Sequence, residues 1–164
     1  SCLKRAGGQH RMKELADPAL FLAFLRLQLG DRLRLQDLHY TRLYRVLREA
    51  RSRGRGRLIG ILDAEGRLIA ATFFLHSHGR IINLLSASSP AGREQYAMHY
   101  LLDQQIQQHA GQPLLFDFEG SEIAGVARFF KSFGSERQPY FQYVRNELPA
   151  PVRWLLDRVR KWRG

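Results

Sequence analysis

The stretch Pro113–Gly134, PLLFDFEGSEIAGVARFFKSFG, decides how the rest of the chain is read. Leu114, Leu115 and Phe116 make a short apolar run of strand size, and Asp117, Glu119 and Gly120 follow as an acidic turn. Ile123, Val126, Ala127 and Phe130 then recur at i, i+3, i+4 and i+7, one face of a helix, with Ser121 as its expected N-cap. Gly134 stands where a left-handed residue closes a helix. A strand that enters a helix through a polar turn brings a strand end and a helix start together, a common setting for a ligand site. The acidity of this turn favours an amine or a hydroxyl there over a phosphate.

Working upstream, Met98, Leu102 and Ile106, with Ala97 and Leu101, give a buried stripe to one long helix that ends near His109. Ser86-Ala-Ser-Ser-Pro-Ala-Gly-Arg93 leads into that helix as a loop. Before it come three strands, Leu58–Leu62, Leu68–Leu75 and Arg80–Leu85, joined by turns at Asp63–Gly66 and Ser77–Gly79. Two helices precede them. Asp17-Pro18 supplies an N-cap and a first-turn proline for one, whose apolar face runs to Gly30. Tyr40, Leu43, Tyr44 and Leu47 mark the other, which dissolves into a basic loop at Arg51–Arg57. Residues 1–17 read as a polar tail or linker remnant. Downstream of Gly134, Tyr140–Val144 reads as a last strand, and Pro149 and Pro151 introduce a basic amphipathic helix over 149–164.

The expected fold is therefore α/β: a mixed, largely antiparallel central sheet flanked by helices, in one domain over 18–148, followed by the basic C-terminal helix. At 164 residues and 45% apolar content the chain can fill one core. Its single cysteine excludes an internal disulfide and suits a reducing, cytoplasmic setting. No apolar run approaches the roughly 20 residues of a membrane span. The net charge is +11, and it is concentrated: residues 42–57 hold seven arginines against one glutamate. Arg42, Arg45, Arg48, Arg51 and Arg53 form a candidate anion-binding surface for RNA phosphate. The terminal helix, with Trp154 and Trp162, suits an anionic membrane surface by the same logic. His76 and His78 share a strand face, but two ligands without a third make no metal site, and none is expected.

The order of elements from Pro18 to Val144, the DFEGS turn at Asp117–Ser121 and RFFKSFG at Arg128–Gly134 resemble the GNAT acyltransferase superfamily. Within it they resemble the Fem-type branch of peptidoglycan aminoacyltransferases, where Lys131, Phe133 and Gly134 match a similar segment. The resemblance covers roughly residues 18–145 and implies a mechanism. The acyl donor lies where the fourth and fifth strands splay apart, and the segment after the fourth strand holds its pyrophosphate. Here that segment is Ser86–Arg93, which implies donor contacts from Ser86, Ser88, Ser89, Gly92 and Arg93. The usual R/Q-x-x-G-x-G/A pattern is absent from it, so two donors are compatible with the resemblance, acyl-CoA (acetyl-CoA) and aminoacyl-tRNA.

Asp117, Glu119 and Lys131 are the catalytic candidates, the carboxylates as bases toward an amine and the lysine as a charge stabiliser. Tyr96, His99, Ser121 and Tyr140 are the acceptor-cleft candidates. The acceptor is an amine on a small molecule or peptide. Fem-type proteins carry two such domains, so an N-terminal partner domain of the same protein is a further expectation. The rival class is a non-catalytic shell of this shape that binds RNA or a lipid surface through its basic flanks.

Overall fold

A computed structural model describes residues 10–119 and 123–139, together with Pro149, Trp154 and Arg158. Two compact units divide the chain, Ser1–Gly134 and Ser135–Gly164. In the second, the Arg158 guanidinium lies 4.5 Å from the Trp154 ring centroid, a cation–π contact. The expected strand at Tyr140–Val144 lies outside the described residues, as does the expected helix over 149–164 apart from those three.

The first unit is built on a five-stranded sheet whose strand order follows the chain. The strands are β1 (Arg11–Glu14), β2 (Gly56–Leu62), β3 (Leu68–Ser77), β4 (Arg80–Ser88) and β5 (Leu115–Asp117). The first four pair antiparallel and β5 joins β4 parallel. Two helices, α1 (Pro18–Leu33) and α2 (Asp37–Ser52), lie between β1 and β2 in the chain. A short α3 (Pro90–Glu94) and a longer α4 (Ala97–Gln108) link β4 to β5, and α5 (Ala124–Lys131) follows.

Buried side chains form two clusters, one on each face of the sheet. Phe21, Leu25 and Leu47 of the first two helices pack with Leu58, Ala71 and Phe73. On the other face Leu101 and Leu102 of α4 pack with Ile59, Ile61, Phe74 and Ile81. Cover on both faces explains why Leu68–Leu75 is apolar at every position but Thr72 rather than alternating. Two irregularities shift this alternation, at Ile61/Leu62 in the β2–β3 ladder and at Phe73/Phe74 in the β3–β4 ladder. The second leaves Leu84 as the extra residue, so Leu84 and Leu85 both pack against the first cluster and β4 bends there.

The α/β class and the antiparallel meander agree with the sequence reading; four local readings need correction. Residues 11–14 are not tail: they pair with Ile59–Leu62 as β1, and Leu15 behind them is buried. His10 Nε2 lies 3.1 Å from the Gln95 carbonyl, which ties the entry to this strand to the far face. The Arg51–Arg57 segment is largely ordered structure, because α2 runs to Ser52 and β2 begins at Gly56. The long helix toward His109 is broken at Tyr96, whose φ of 55° is left-handed and turns α4 onto the sheet. Finally α5 starts at Ala124 with Ile123 as N-cap, and Ser121 lies outside the described residues.

The β2–β3 turn shows how local charge fixes the meander. The Asp63 carboxylate, almost fully buried, accepts the backbone N–H groups of Glu65 and Arg67 at 3.1 and 2.8 Å and the Arg67 Nε–H at 2.8 Å. Burial pushes its pKa up, but these hydrogen bonds and the Arg67 charge outweigh it, and the net value falls below the ordinary 3.8. A carboxylate depressed in the folded state contributes stability above its ordinary pKa and loses it as pH falls through the lowered value. Asp63→Asn should therefore be less stable than wild type at pH 7, with the gap closing as pH falls below the ordinary 3.8 and through the lowered folded-state value. Urea melts across pH 2–7 check this, and a gap independent of pH would sink the account.

Candidate active site

The parallel β4–β5 pair is short. It joins Arg80, Ile81 and Ile82 to Leu115, Phe116 and Asp117 and goes no further. From Asn83 to Ser88, β4 therefore has no strand beside it on that edge among the described residues. The carrying feature of the site is this parting of two parallel strands, since it exposes backbone N–H and C=O groups at the middle of a sheet.

Beyond the parting, β4 runs directly into α3. Strand pairing continues through Ser88, so Ser86 and Ser88 are strand residues rather than members of a loop. Ser89 caps α3: its Oγ accepts the Gly92 N–H at 3.0 Å and donates to the Ile69 carbonyl at 3.2 Å. The Ser89 backbone N–H donates to the same carbonyl at 2.9 Å. Gly92 is buried against this point, where an added Cβ would lie 2.0 Å from the Ile69 oxygen. Only a glycine lets α3 approach β3 so closely. Arg93 reaches back to donate to the Ser88 carbonyl at 2.8 Å, with its side chain otherwise exposed.

Ser86 belongs to a polar cluster that the sequence reading missed. The hydroxyls of Thr72 and Ser86 lie 2.7 Å apart, and the Ser86 hydroxyl donates to Asn83 Oδ1 at 2.7 Å. Thr72 also donates to the Leu85 carbonyl at 3.0 Å, across the bend in β4. Thr72 and Asn83 are buried, and Asn83 is the first residue of β4 after β5 leaves it. Their signal in the sequence is modest: each interrupts an apolar strand run with a polar side chain.

The acceptor-side candidates separate into two groups. His99 on α4 is half-buried among rings, with Phe129 edge-on at 4.5 Å between centroids, Tyr96 at 5.5 Å and Phe133 at 6.0 Å. Burial lowers its pKa below the ordinary 6.5, so the imidazole is neutral at pH 7. Asp117 belongs elsewhere. Its Oδ2 accepts from Arg80 Nη1 at 3.2 Å and its Oδ1 accepts the Glu119 N–H at 2.8 Å. Glu119 is exposed with a left-handed φ of 62°, and Lys131 is exposed at the end of α5. No hydrogen bond or ion pair joins Lys131 to either carboxylate among the described residues. Ser121 and Tyr140 lie outside the described residues.

The arginine face is also divided. Arg51 donates to the Leu15 carbonyl at 2.8 Å and Arg53 pairs with Glu49 at 2.7 Å, so both serve the fold. Arg42, Arg45 and Arg48 are exposed on α2, with Arg48 5.8 Å from the Tyr44 ring centroid. No group of three or more His, Cys, Asp or Glu among the described residues could hold a metal ion. No helix among them is long and apolar enough to cross a membrane.

Residues 3–132 match the acetyltransferase (GNAT) domain family, and the chain belongs to that family. No curated protein shows significant sequence similarity to it. Among solved structures it is similar to a possible acetyltransferase from Clostridium difficile 630, with a TM-score of 0.65 at 10% identity over 86% of this chain and 99% of that one. A predicted acetyltransferase with acetyl-CoA from Clostridium acetobutylicum gives 0.64 at 12% identity over 83% and 96%. FemX gives 0.63 at 13% identity, and the match covers 81% of this chain but 52% of FemX. At these identities the likeness is one of fold.

Proposed function

We propose that this domain transfers an acyl group from an acyl-CoA thioester to an amine. The observation that carries the reading is the parting of β4 from β5 after Ile82 and Asp117, which leaves Asn83–Ser88 without a parallel neighbour on the way to the α3 start. Family membership and the fold support the same class of chemistry. A bound donor supplies an activated acyl carbon; the chain supplies the rest. The Asn83–Ser88 stretch, paired to β3 but with no strand on its other edge, holds the donor's amide-bearing arm by strand-like hydrogen bonds, and Ser88, Gly92 and Arg93 lie at its anionic end. Arg93 contributes charge there, while Ser89 and Gly92 hold α3 in place.

An amine acceptor must lose a proton to become a nucleophile. His99, neutral at pH 7 and half-buried, suits that role better than Asp117, which is already engaged by Arg80. Glu119 attracts the acceptor's cationic end, and Lys131 faces anionic parts of either substrate. The Fem-type reading keeps aminoacyl-tRNA as the alternative donor, and the exposed Arg42, Arg45 and Arg48 are the residues that would meet its phosphates.

Melting the full chain with acetyl-CoA, free CoA and a longer acyl-CoA at physiological salt separates the two donors. Ligand at ~100 times its dissociation constant adds about 2.7 kcal/mol, a clear rise in Tm. A shift with CoA thioesters supports the proposal. No shift with any of them overturns it and directs attention to aminoacyl-tRNA.

A further inference from the structure

The end of the sheet opposite α3 carries a concavity that the transfer reading does not use. It has a volume of about 230 Å³ and lies between the α2–β2 turn and the β3–β4 turn. The nine residues of β4 separate it from Ser88 by about 26 Å at a strand rise of roughly 3.3 Å per residue. Arg53, Arg55 and Arg80 line it with His76 and His78. His78 is not on the strand face with His76, as its spacing suggested. It sits in the two-residue turn with a left-handed φ of 49°, and its Nδ1 lies 2.7 Å from the Ser77 hydroxyl.

Three features point to an anion. Arg53 and Arg80 each use one nitrogen on a carboxylate, Glu49 and Asp117, and a guanidinium has five N–H donors. Arg55 has no side-chain hydrogen bond or ion pair among the described residues, although its carbonyl accepts the His76 N–H at 2.7 Å. Gly54 and Gly79, also at the rim, have positive φ and nothing within 4 Å of where a Cβ would stand, so the backbone there is open. Burial lowers the pKa of His76, and the charges of His109 and Arg57 beside it lower it further, as expected where the potential is positive. The volume is below the roughly 300 Å³ at which pockets enclose drug-sized ligands, which suits a head group rather than a whole cofactor.

We propose that this concavity binds the phosphate of a phosphomonoester, through Arg55 and the free N–H groups of Arg53 and Arg80, with His76 and His78 at its side. The site is separate from the acyl-transfer reading and stands or falls on its own.

The test follows the imidazole proton signals of His76 and His78 in the full chain during titration with inorganic phosphate, methyl phosphate and dimethyl phosphate. Sodium chloride holds ionic strength constant. Saturable shifts with the first two and a raised His76 titration midpoint are expected. Arg55→Ala should weaken phosphate binding roughly tenfold, the size of a lost charge-assisted hydrogen bond, while Arg32→Ala, at an exposed arginine on α1, leaves it unchanged. Arg55 is exposed, so this variant should keep the wild-type spectrum elsewhere and the wild-type melting response to acetyl-CoA. Non-saturable shifts, equal binding of dimethyl phosphate, or equal losses in the Arg32 and Arg55 variants would overturn the proposal.

Discussion

Gly92→Ala is expected to lose about 3 kcal/mol of folding stability, the upper part of the usual range for overpacking a filled site. The reason is the nature of the obstacle. The new Cβ would meet the Ile69 carbonyl oxygen at 2.0 Å and its carbon at 2.8 Å, and both belong to the backbone of a central strand. Ile69 cannot retreat, because its oxygen already accepts the Ser89 N–H and the Ser89 hydroxyl. The helix start must therefore move instead, and with it the cap that Ser89 provides. A Tm lower by roughly 6–12 °C is expected for a chain of this size, together with a weakened melting response to acetyl-CoA. Differential scanning calorimetry with and without ligand measures both. A variant that melts within a degree of wild type would mean that α3 does not press on β3 as described.

The second large effect is expected in the core on the other face. Phe73 is fully buried in the middle of the sheet, and Phe73→Ala should cost about 3–5 kcal/mol through lost burial and the cavity left behind. Its ring also explains a glycine. A Cβ on Gly56 would lie 2.4 Å from the tip of the Phe73 ring and 3.1 Å from both Ala50 Cβ and Arg51 N, so the ring occupies the space of that side chain. Gly56→Ala should therefore destabilise by itself, and Phe73→Leu should relieve part of the clash. In a double-mutant cycle the pair should cost less than the two single changes added together. Strict additivity in urea melts would show that the two residues do not share this space.

The parts of the fold that were legible in the sequence are those whose signals are local. Asp63–Gly66 and His78-Gly79 mark their own turns, and Gly134 takes the positive φ of 78° expected after the last helical turn. The β1 strand left no such mark. Its residues Arg11, Met12, Lys13 and Glu14 are all exposed, and the strand exists because Ile59–Leu62 lies beside it across two intervening helices. Likewise one unbroken helix was expected from the end of the Ser86–Arg93 loop to His109, since nothing in the residue type of Tyr96 announces a left-handed backbone there. The candidate site divides in the same way. Ser86–Arg93 could be grouped because those residues are contiguous. What their hydroxyls do depends on Thr72, Asn83 and Ile69, and the Arg80–Asp117 pair spans 37 positions of sequence. These partners meet only when β3, β4 and β5 align.

The exposed β1 strand also bears on how the protein behaves in concentrated solution. It is the outermost strand on its side of the sheet among the described residues, with an open row of backbone donors and acceptors. Such a row is a template on which a second copy can add a strand. Here the row is short, four residues, and three of them are charged: Arg11, Lys13 and Glu14. An approaching copy would have to bring its own Arg11 and Lys13 against these, and the Arg57–Glu14 ion pair at 3.0 Å already occupies the end of the strand. The same residues that hide β1 from a search for hydrophobic patterns thus guard the sheet against edge-to-edge self-association.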